Sequence, residues 1–554
     1  MSDRTLSFDG APVPVRKGQS LASALTEAGH KAFRETAGSS RRGIFCGMGV
    51  CQDCLVTIDG TPNMRACMTP AQAGQVVETQ VAFAKLQQPR STDAPGPVRK
   101  LSPDVLIIGG GAGGLSAAIA ARQAGADVLI LDERKVRGGQ YFKQAADGPP
   151  LDRQQADGAA LLAKAERSGA EILDSTEVWG AFDGPLFLGT REGAALAIRP
   201  KTAIVATGAY ERPRMVPGWT LPGVMTTGAA QTLWRSYRTL PGARVAVCGS
   251  GPLNLQVALE LAEGGAKVAF VAEAASAPAT NPVHLLGAGL ADPALTFKGW
   301  KMVRGLRRAG VPLRYRTELV EVTECDDGLA VTTRGLDGQK TVIVDALCMN
   351  TGFEPQNEIL RLLGADMTYD PAFGHLRCDR SKTCETSVSG LFAVGDCAGL
   401  GGAPAAMAEG RIAGAMAAAQ AGYGDGHDTF AEHRALARHR RFQKHLWQLH
   451  AIAPNTLANA PDEVIVCRCE EITLGQIRAG LESEPGHVGT LKRATRVGMG
   501  RCQGRYCGAV AARIIAESTG KPIDDHSHFA PRVPIKPVSI AAILAAEEAL
   551  DDTP

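Results

Sequence analysis

Two stretches of this chain repeat one pattern, and that pattern constrains the fold more than any other feature. Residues 104–133, DVLIIGGGAGGLSAAIAARQAGADVLILDE, run from a buried apolar strand into Gly109-x-Gly111-x-x-Gly114, then an alanine-rich helix, then a second apolar strand closed by Asp132. The first two glycines permit a tight turn and close approach of a pyrophosphate, the helix N-terminus favours its charge, and Asp132 is placed for adenosine ribose hydroxyls. Residues 244–273, RVAVCGSGPLNLQVALELAEGGAKVAFVAE, repeat the pattern with Gly249 and Gly251, but Asn254 stands where the third glycine belongs. That glycine normally lets helix and strand pack closely. Glu273 ends the following strand without a neighbouring Arg or Lys, which argues against NADP. Two readings of the second unit stay open: an NAD site, or a structural domain that binds no nucleotide.

Eight of the 14 cysteines fall into two sets, one near each end of the chain. Cys46, Cys51, Cys54 and Cys67 form C-x4-C-x2-C-x12-C, the plant-type 2Fe-2S spacing with a shorter final gap. Gly43, Gly47 and Gly49 give that loop the freedom to wrap a cluster. Cys467, Cys469, Cys502 and Cys507 form C-x-C-x32-C-x4-C around a helical segment. This second set resembles the 2Fe-2S domain of bacterioferritin-associated ferredoxins, with a wider final pair. Structural zinc is the alternative at both sets, unrelated buried cysteines a further one at the first, and an empty site a further one at the second.

The chain is expected to divide into a ferredoxin-like 2Fe-2S domain (1–84), a linker (85–103), an FAD-binding domain (104–240 and 345–420) and a nested second Rossmann-like domain (241–344). A helical connector (421–460), a helical 2Fe-2S domain (461–522) and a Pro-punctuated tail (523–554) complete it. Sixty-four glycines in 554 residues, against a usual share of ~7%, suit many tight turns. A formal net charge of only +2 gives no footprint for nucleic acid or an acidic membrane. The N-terminus lacks the sequence of a signal peptide, and no apolar run reaches the roughly 18 residues of a membrane span. With so many cysteines, a reducing cytoplasm is expected, any attachment to the inner membrane being peripheral and through partners. His433, His439, His445 and His450 invite a metal reading, but six residues turn a helix by roughly 240°, so successive histidines leave any shared face. A solvated or interface helix is expected there.

Further motifs point to flavin. TSVSGLFAVGDCAG resembles the second FAD signature of glutathione-reductase-like flavoproteins, with Gly395 and with Asp396 placed for the ribityl chain. Gly138, Gly139, Gln140 and the Ala206-Thr207-Gly208 turn fit the same family, and the helix after Gly402 would point its N-terminus at the cofactor. The flavoprotein region lacks a Cys-x-x-Cys or Cys-x4-Cys pair after Gly139, where disulfide reductases keep one, which argues against dithiol chemistry. The expected fold is therefore α/β, a glutathione-reductase-like flavoprotein with two dinucleotide-binding units and a 2Fe-2S domain at each end.

Residues 104 to about 540 resemble the α subunits of octopine and nopaline oxidases, hydrogen cyanide synthase and dye-linked proline or hydroxyproline dehydrogenases, and more distantly sarcosine oxidase α. DERKVRGGQ, TGAYERPRMVPGWTLPGV, GSGPLN, TGFEP, VGDCAG, CRCEE, GMGRCQGRYC and PRVPIKP carry the resemblance. In such systems the ferredoxin unit is often a separate subunit, whereas here it is fused at the N-terminus. The resemblance implies a hetero-oligomer whose other member, a glycine-oxidase-like flavoprotein β subunit, oxidises a C–N bond of an amino acid or secondary amine. Some relatives carry an FMN between subunits, and others hold NAD or ATP in place of FAD. The resulting expectation is an electron-transferring flavo-iron-sulfur subunit with no substrate base of its own and an unidentified electron acceptor. A self-contained NADH-dependent reductase and a non-catalytic cofactor-bearing scaffold are the alternatives.

Overall fold

The computed structural model describes residues 4–83, 96–426, 429–452, 457–483 and 486–551. The first unit is built on a parallel sheet ordered Glu171–Leu173, Val128–Leu131, Val105–Ile108, Thr202–Val205, Leu391–Ala393. Its central strands are buried on both faces, as the unbroken VLII and VLIL runs require. Helices Ala112–Gln123 and Gly402–Gln420 cover one face and pack on each other through small residues. A Cβ on Gly410 or Gly414 would overlap the backbone of the facing helix.

The second unit is a parallel sheet ordered Val224–Thr226, Ala346–Asn350, Arg244–Gly249, Lys267–Glu273, Leu313–Tyr315. It recruits strands on both sides of the expected 241–344 boundary, because strand order depends on crossovers that chain order does not display. The expected linker 85–103 also needs correction. Residues 85–95 lie outside the described part, but Arg99–Leu101 is an edge strand paired in parallel with Ala194–Ile198. Three residues are too few to show a period, so only the pairing reveals this strand. The stretch expected as a tail is likewise docked. Ile535 N–H donates to the Trp179 carbonyl at 2.8 Å, and Ala546 and Ala549 of the helix Ile540–Asp551 enter a core with Trp179, Leu186, Leu188 and Ala197.

At the N-terminal end, a five-stranded sheet (Ala11–Pro14, Thr5–Phe8, Val76–Thr79, Leu55–Ile58, Thr61–Arg65) carries helix Leu21–Glu27, capped by Ser20. At the other end, short strands Ile465–Cys467 and Ile472–Thr473 precede helices Leu474–Ser483, Val488–Thr495 and Gly508–Thr519. These distant ends share one core, in which Phe45, Cys46 and Cys51 pack with Trp219, Tyr210, Cys467, Cys502 and Tyr506. Helix Phe430–Leu449 packs on Pro282–Ala291 through Phe442, Leu449, Ala288 and Ala291, and His445 meets His284 across this contact at 3.1 Å.

Candidate cofactor sites

The first glycine turn has the geometry that a dinucleotide needs. Gly109 has φ +117°, and a Cβ there would overlap the Ala206 carbonyl; one on Gly114 would overlap the Gly109 carbonyl. Gly111 is different, its Cβ meeting nothing nearer than Gly139 Cα at 3.7 Å. Gly111 is therefore the glycine that leaves room for a ligand, while the other two serve the protein's own packing. Asp132 accepts from the N–H groups of Gly110 (2.9 Å) and Arg134 (2.8 Å). Burial pushes its carboxyl up to about 6.

These residues line one wall of a cavity of about 460 Å³, within the range of cofactor pockets. Gly139, Gln140, Thr207, Gly208, Gly395 and Asp396 line the same space, so the structure gathers the sequence-expected nucleotide residues except Gly114, which sits behind the turn, and Gly138, which packs against the Phe142 carbonyl. Asp396 Oδ1 accepts from the N–H groups of Gly401 and Gly402 at 2.9 Å each, at the start of helix Gly402–Gln420, while desolvation pushes its carboxyl up. Thr207 Oγ1 donates to the Gln356 carbonyl at 2.6 Å, holding the turn rather than facing the cavity as a donor.

Three further cavity residues escaped the sequence reading: Lys143, Glu211 and Gln231. Lys143 Nζ donates to the Gln140 carbonyl and to Gln231 Oε1, both at 3.1 Å. Burial lowers its ammonium to about 7. Glu211 accepts from Gly228 N–H (2.7 Å) and Asn350 Nδ2 (2.6 Å), and burial raises its carboxyl. Glu211 lies in the TGAYERPRMVPGWTLPGV segment, but no motif gives these side chains a shared role, because they come from three segments and only the fold brings them together. They put proton-bearing groups in the same cavity as Asp132.

Both cysteine loops reach this cavity. Met48, two residues after Cys46, and Arg505, between Cys502 and Cys507, stand in its wall. Among the described residues, no three or more His, Cys, Asp or Glu side chains gather as ligands of a single metal ion. The sulfurs instead meet in pairs: Cys46 with Cys51 and Cys54 with Cys67 at one end, and Cys467 with Cys469 (3.8 Å) and Cys507, and Cys469 with Cys502 (3.7 Å), at the other. Two thiolates on one tetrahedral ion at about 2.3 Å stand about 3.8 Å apart, and a 2Fe-2S cluster takes one such pair on each iron. Backbone N–H groups of Met48 (3.5 Å) and Cys51 (3.4 Å) point at Cys46 Sγ, and that of Cys67 at Cys54 Sγ (3.5 Å). Such donors stabilise charge on cluster sulfurs. At the second set a Cβ on Gly500 would overlap Cys469 Sγ, so this loop too needs its glycine. The residues present fit a 2Fe-2S cluster at both ends.

The second glycine turn is committed to the protein itself. Glu273 accepts from Ser250 Oγ (2.5 Å) and the N–H groups of Gly251 and Ala275 (3.0 Å each), with His450 Nδ1 at 3.3 Å. Burial opposes its ionisation, but His450 and Ser250 hold the carboxyl below its usual range. Ser250 Oγ also contacts the His450 carbonyl at 2.9 Å, so the end of helix Phe430–Leu449 covers the acid that would bind a ribose. Asn254 replaces the missing glycine by hydrogen bonding. Its Nδ2 donates to the Asn350 carbonyl (2.9 Å) and its Oδ1 accepts from Thr227 Oγ1 (2.7 Å). NADH is accordingly expected to reduce the isolated chain more slowly than about 1 s⁻¹, the low end of enzymatic turnover. Anaerobic stopped-flow mixing measures it, and flavin bleaching at catalytic rates would reinstate the reductase reading.

The glycine turn, the shared cavity and the N-terminal cysteine loop define a nucleotide-binding oxidoreductase joined to an iron-sulfur domain. Residues 103–422 match the pyridine nucleotide-disulphide oxidoreductase family, residues 4–82 a 2Fe-2S iron-sulfur cluster binding domain, and residues 464–548 the sarcosine oxidase A3 domain. The chain belongs to the pyridine nucleotide-disulphide oxidoreductases and, within them, to the family of the opine oxidase A subunits. It is 32% identical to the opine oxidase A subunit of Rhizobium meliloti over 79% of this chain and 98% of that one. It is 30% identical to hydrogen cyanide synthase subunit HcnB of Pseudomonas aeruginosa, over 79% and 97%. The alpha subunit of sarcosine oxidase from Corynebacterium sp. (strain P-1) is 25% identical over 97% of this chain, which spans 56% of that longer relative. The crystal structure of an L-proline dehydrogenase from P. horikoshii shares the fold at a TM-score of 0.73 and 20% identity, covering 97% of each chain.

Proposed function

We propose that this chain is the electron-transferring FAD and iron-sulfur subunit of a hetero-oligomeric dehydrogenase or oxidase acting on the C–N bond of an amino acid or secondary amine. One observation carries the reading: Met48 and Arg505, each from a cysteine loop, stand in the wall of the cavity that Gly111, Asp132 and Asp396 also line. FAD, when bound, supplies the exchange between two-electron and one-electron transfer, and the clusters carry single electrons. Gly111 leaves the pyrophosphate its space, Gly109 lets the turn pass close to Ala206, Asp132 takes the adenosine ribose, and Asp396 the ribityl chain. Gly139, Gln140, Thr207, Gly208 and Gly395 close around it, and Gly114 keeps the helix against its strand. Lys143 and Glu211 hold protons in the same cavity, while Gln231 positions the Lys143 ammonium. Cys46, Cys51, Cys54 and Cys67 hold one cluster, and Cys467, Cys469, Cys502 and Cys507 the other.

Relatives named as subunits of opine oxidase, hydrogen cyanide synthase and sarcosine oxidase support a hetero-oligomer. In the finer reading, the partner is a glycine-oxidase-like flavoprotein that carries the substrate site, with an FMN at the interface. Among the described residues no helix is long and apolar enough to cross a membrane. Iron analysis of the full chain is expected to give about four atoms. Cys51→Ser and Cys502→Ser should each remove about two of them and abolish a different paramagnetic signal of the reduced protein. Unchanged iron and spectrum in either variant would reject the assignment at that end. Mass spectrometry of the released nucleotide tests FAD against NAD or ATP.

A further inference from the structure

The two cysteine loops touch each other through residues that lie between their own ligands. Asp53, between Cys51 and Cys54, is fully buried, and Arg468, between Cys467 and Cys469, is 6% exposed. Arg468 Nε donates to Asp53 Oδ2 at 2.6 Å, and its Nη1 donates to the Trp219 carbonyl at 3.0 Å. Arg34 holds the other carboxylate oxygen at 2.9 Å and donates to the Asp53 carbonyl at 3.2 Å. The Arg468 guanidinium lies 3.9 Å from the ring centre of Phe45, the neighbour of Cys46, and 4.7 Å from that of Trp219. Phe45 also meets Tyr506, the neighbour of Cys507, edge to face at 5.4 Å. Each loop therefore contributes two residues, all next to cluster ligands, to one dry contact.

A buried ion pair is costly to assemble and rigid once its geometry is satisfied. The domains also have another tie, Glu471 to Thr36 Oγ1 (2.7 Å), Gly38 N–H (2.9 Å) and Arg42 (3.0 Å), which lies outside the cysteine loops. A pair of charges placed between the ligands of both sets is thus not required merely to hold the domains together.

We propose that Asp53 and Arg468 are positioning residues that lock the two cysteine loops into a single conduit, so that electrons pass directly from one cluster to the other across this contact. The inference rests on the reading that both cysteine sets hold 2Fe-2S clusters. In each transfer one cluster is oxidised by one electron and the other reduced by one, with no bond made or broken and no proton moved. The cation favours the more negative, reduced form of both clusters and the carboxylate opposes it.

The test uses the full chain, reduced anaerobically and examined by electron paramagnetic resonance with potentiometric titration. The expected result is a magnetic interaction between the clusters, seen as broadening or splitting beyond the sum of the spectra of Cys51→Ser and Cys502→Ser. Arg468→Met should lose that interaction at unchanged iron content and lower both midpoint potentials, Asp53→Asn should raise them, and Arg468→Lys should restore part of the interaction. Glu471→Gln, which weakens only the outer tie, should keep it. If Arg468→Met loses iron, Asp53→Asn and Arg468→Lys decide by the same readouts. Two clusters whose spectra and potentials ignore all three substitutions, or respond equally to Glu471→Gln, would overturn the proposal while leaving the cluster assignments standing. An unaltered chain with only half the expected iron would overturn those assignments and the conduit with them.

Discussion

A chain carrying Gly111→Val is expected to fold, keep its iron and come off the column without flavin. The position separates ligand space from protein packing. A side chain at Gly111 meets no protein atom nearer than 3.7 Å, whereas one at Gly109 or Gly114 would overlap a backbone carbonyl. The added methyls enter the space against Gly139 that the pyrophosphate would occupy. Overpacking of this kind costs about 1–3 kcal/mol, at least about 5- to 150-fold in affinity, and the lost phosphate contacts add to it. Absorbance of the purified protein measures flavin, and iron analysis shows that the ends of the chain remain intact. Full flavin occupancy in the variant would show that the nucleotide does not use this turn. The matched control, Gly114→Val, should reduce stability first, since its clash is with the turn itself.

The second large effect is catalytic. Expressed alone, the chain should show negligible dehydrogenase activity towards opines, proline derivatives or glycine, and addition of a glycine-oxidase-like partner should restore reduction of an external dye. Lys143 and Glu211 are titratable groups in the cavity wall, yet each is engaged by protein partners, Lys143 with Gln140 and Gln231, Glu211 with Gly228 and Asn350. That arrangement suits tuning of a bound ring better than a free base awaiting substrate. In the reconstituted enzyme, Cys51→Ser should slow dye reduction far more than it changes substrate binding, because on the proposed division of labour the binding pocket lies on the partner. Robust turnover by the single chain would reject this division of labour. The assay compares dye reduction by each protein alone and by the mixture.

Much of the candidate site was legible because its signals are local. Gly109, Gly111 and Asp132 sit in one strand-turn-helix-strand stretch, and each cysteine loop announces its ligands by spacing. The Gly249 turn shows the limit of that legibility. Asn254 flagged a departure, but whether it disabled the site depended on His450 and Ser250, and no spacing rule connects residues 200 positions apart. Lys143, Glu211 and Gln231 were silent for the same reason, as were the short strand Arg99–Leu101 and the assignment of Ala346–Asn350 to the second sheet.

The sequence by itself determined the first nucleotide-type unit, the N-terminal 2Fe-2S domain and the glycines of the turn, because backbone conformation and cysteine spacing are properties of contiguous residues. Tertiary structure alone decided which sulfurs pair, that Glu273 is covered, and that both cysteine loops meet each other and one cavity. Those outcomes depend on packing between segments hundreds of residues apart, such as Asp53 against Arg468, where burial makes an ion pair specific to its one partner.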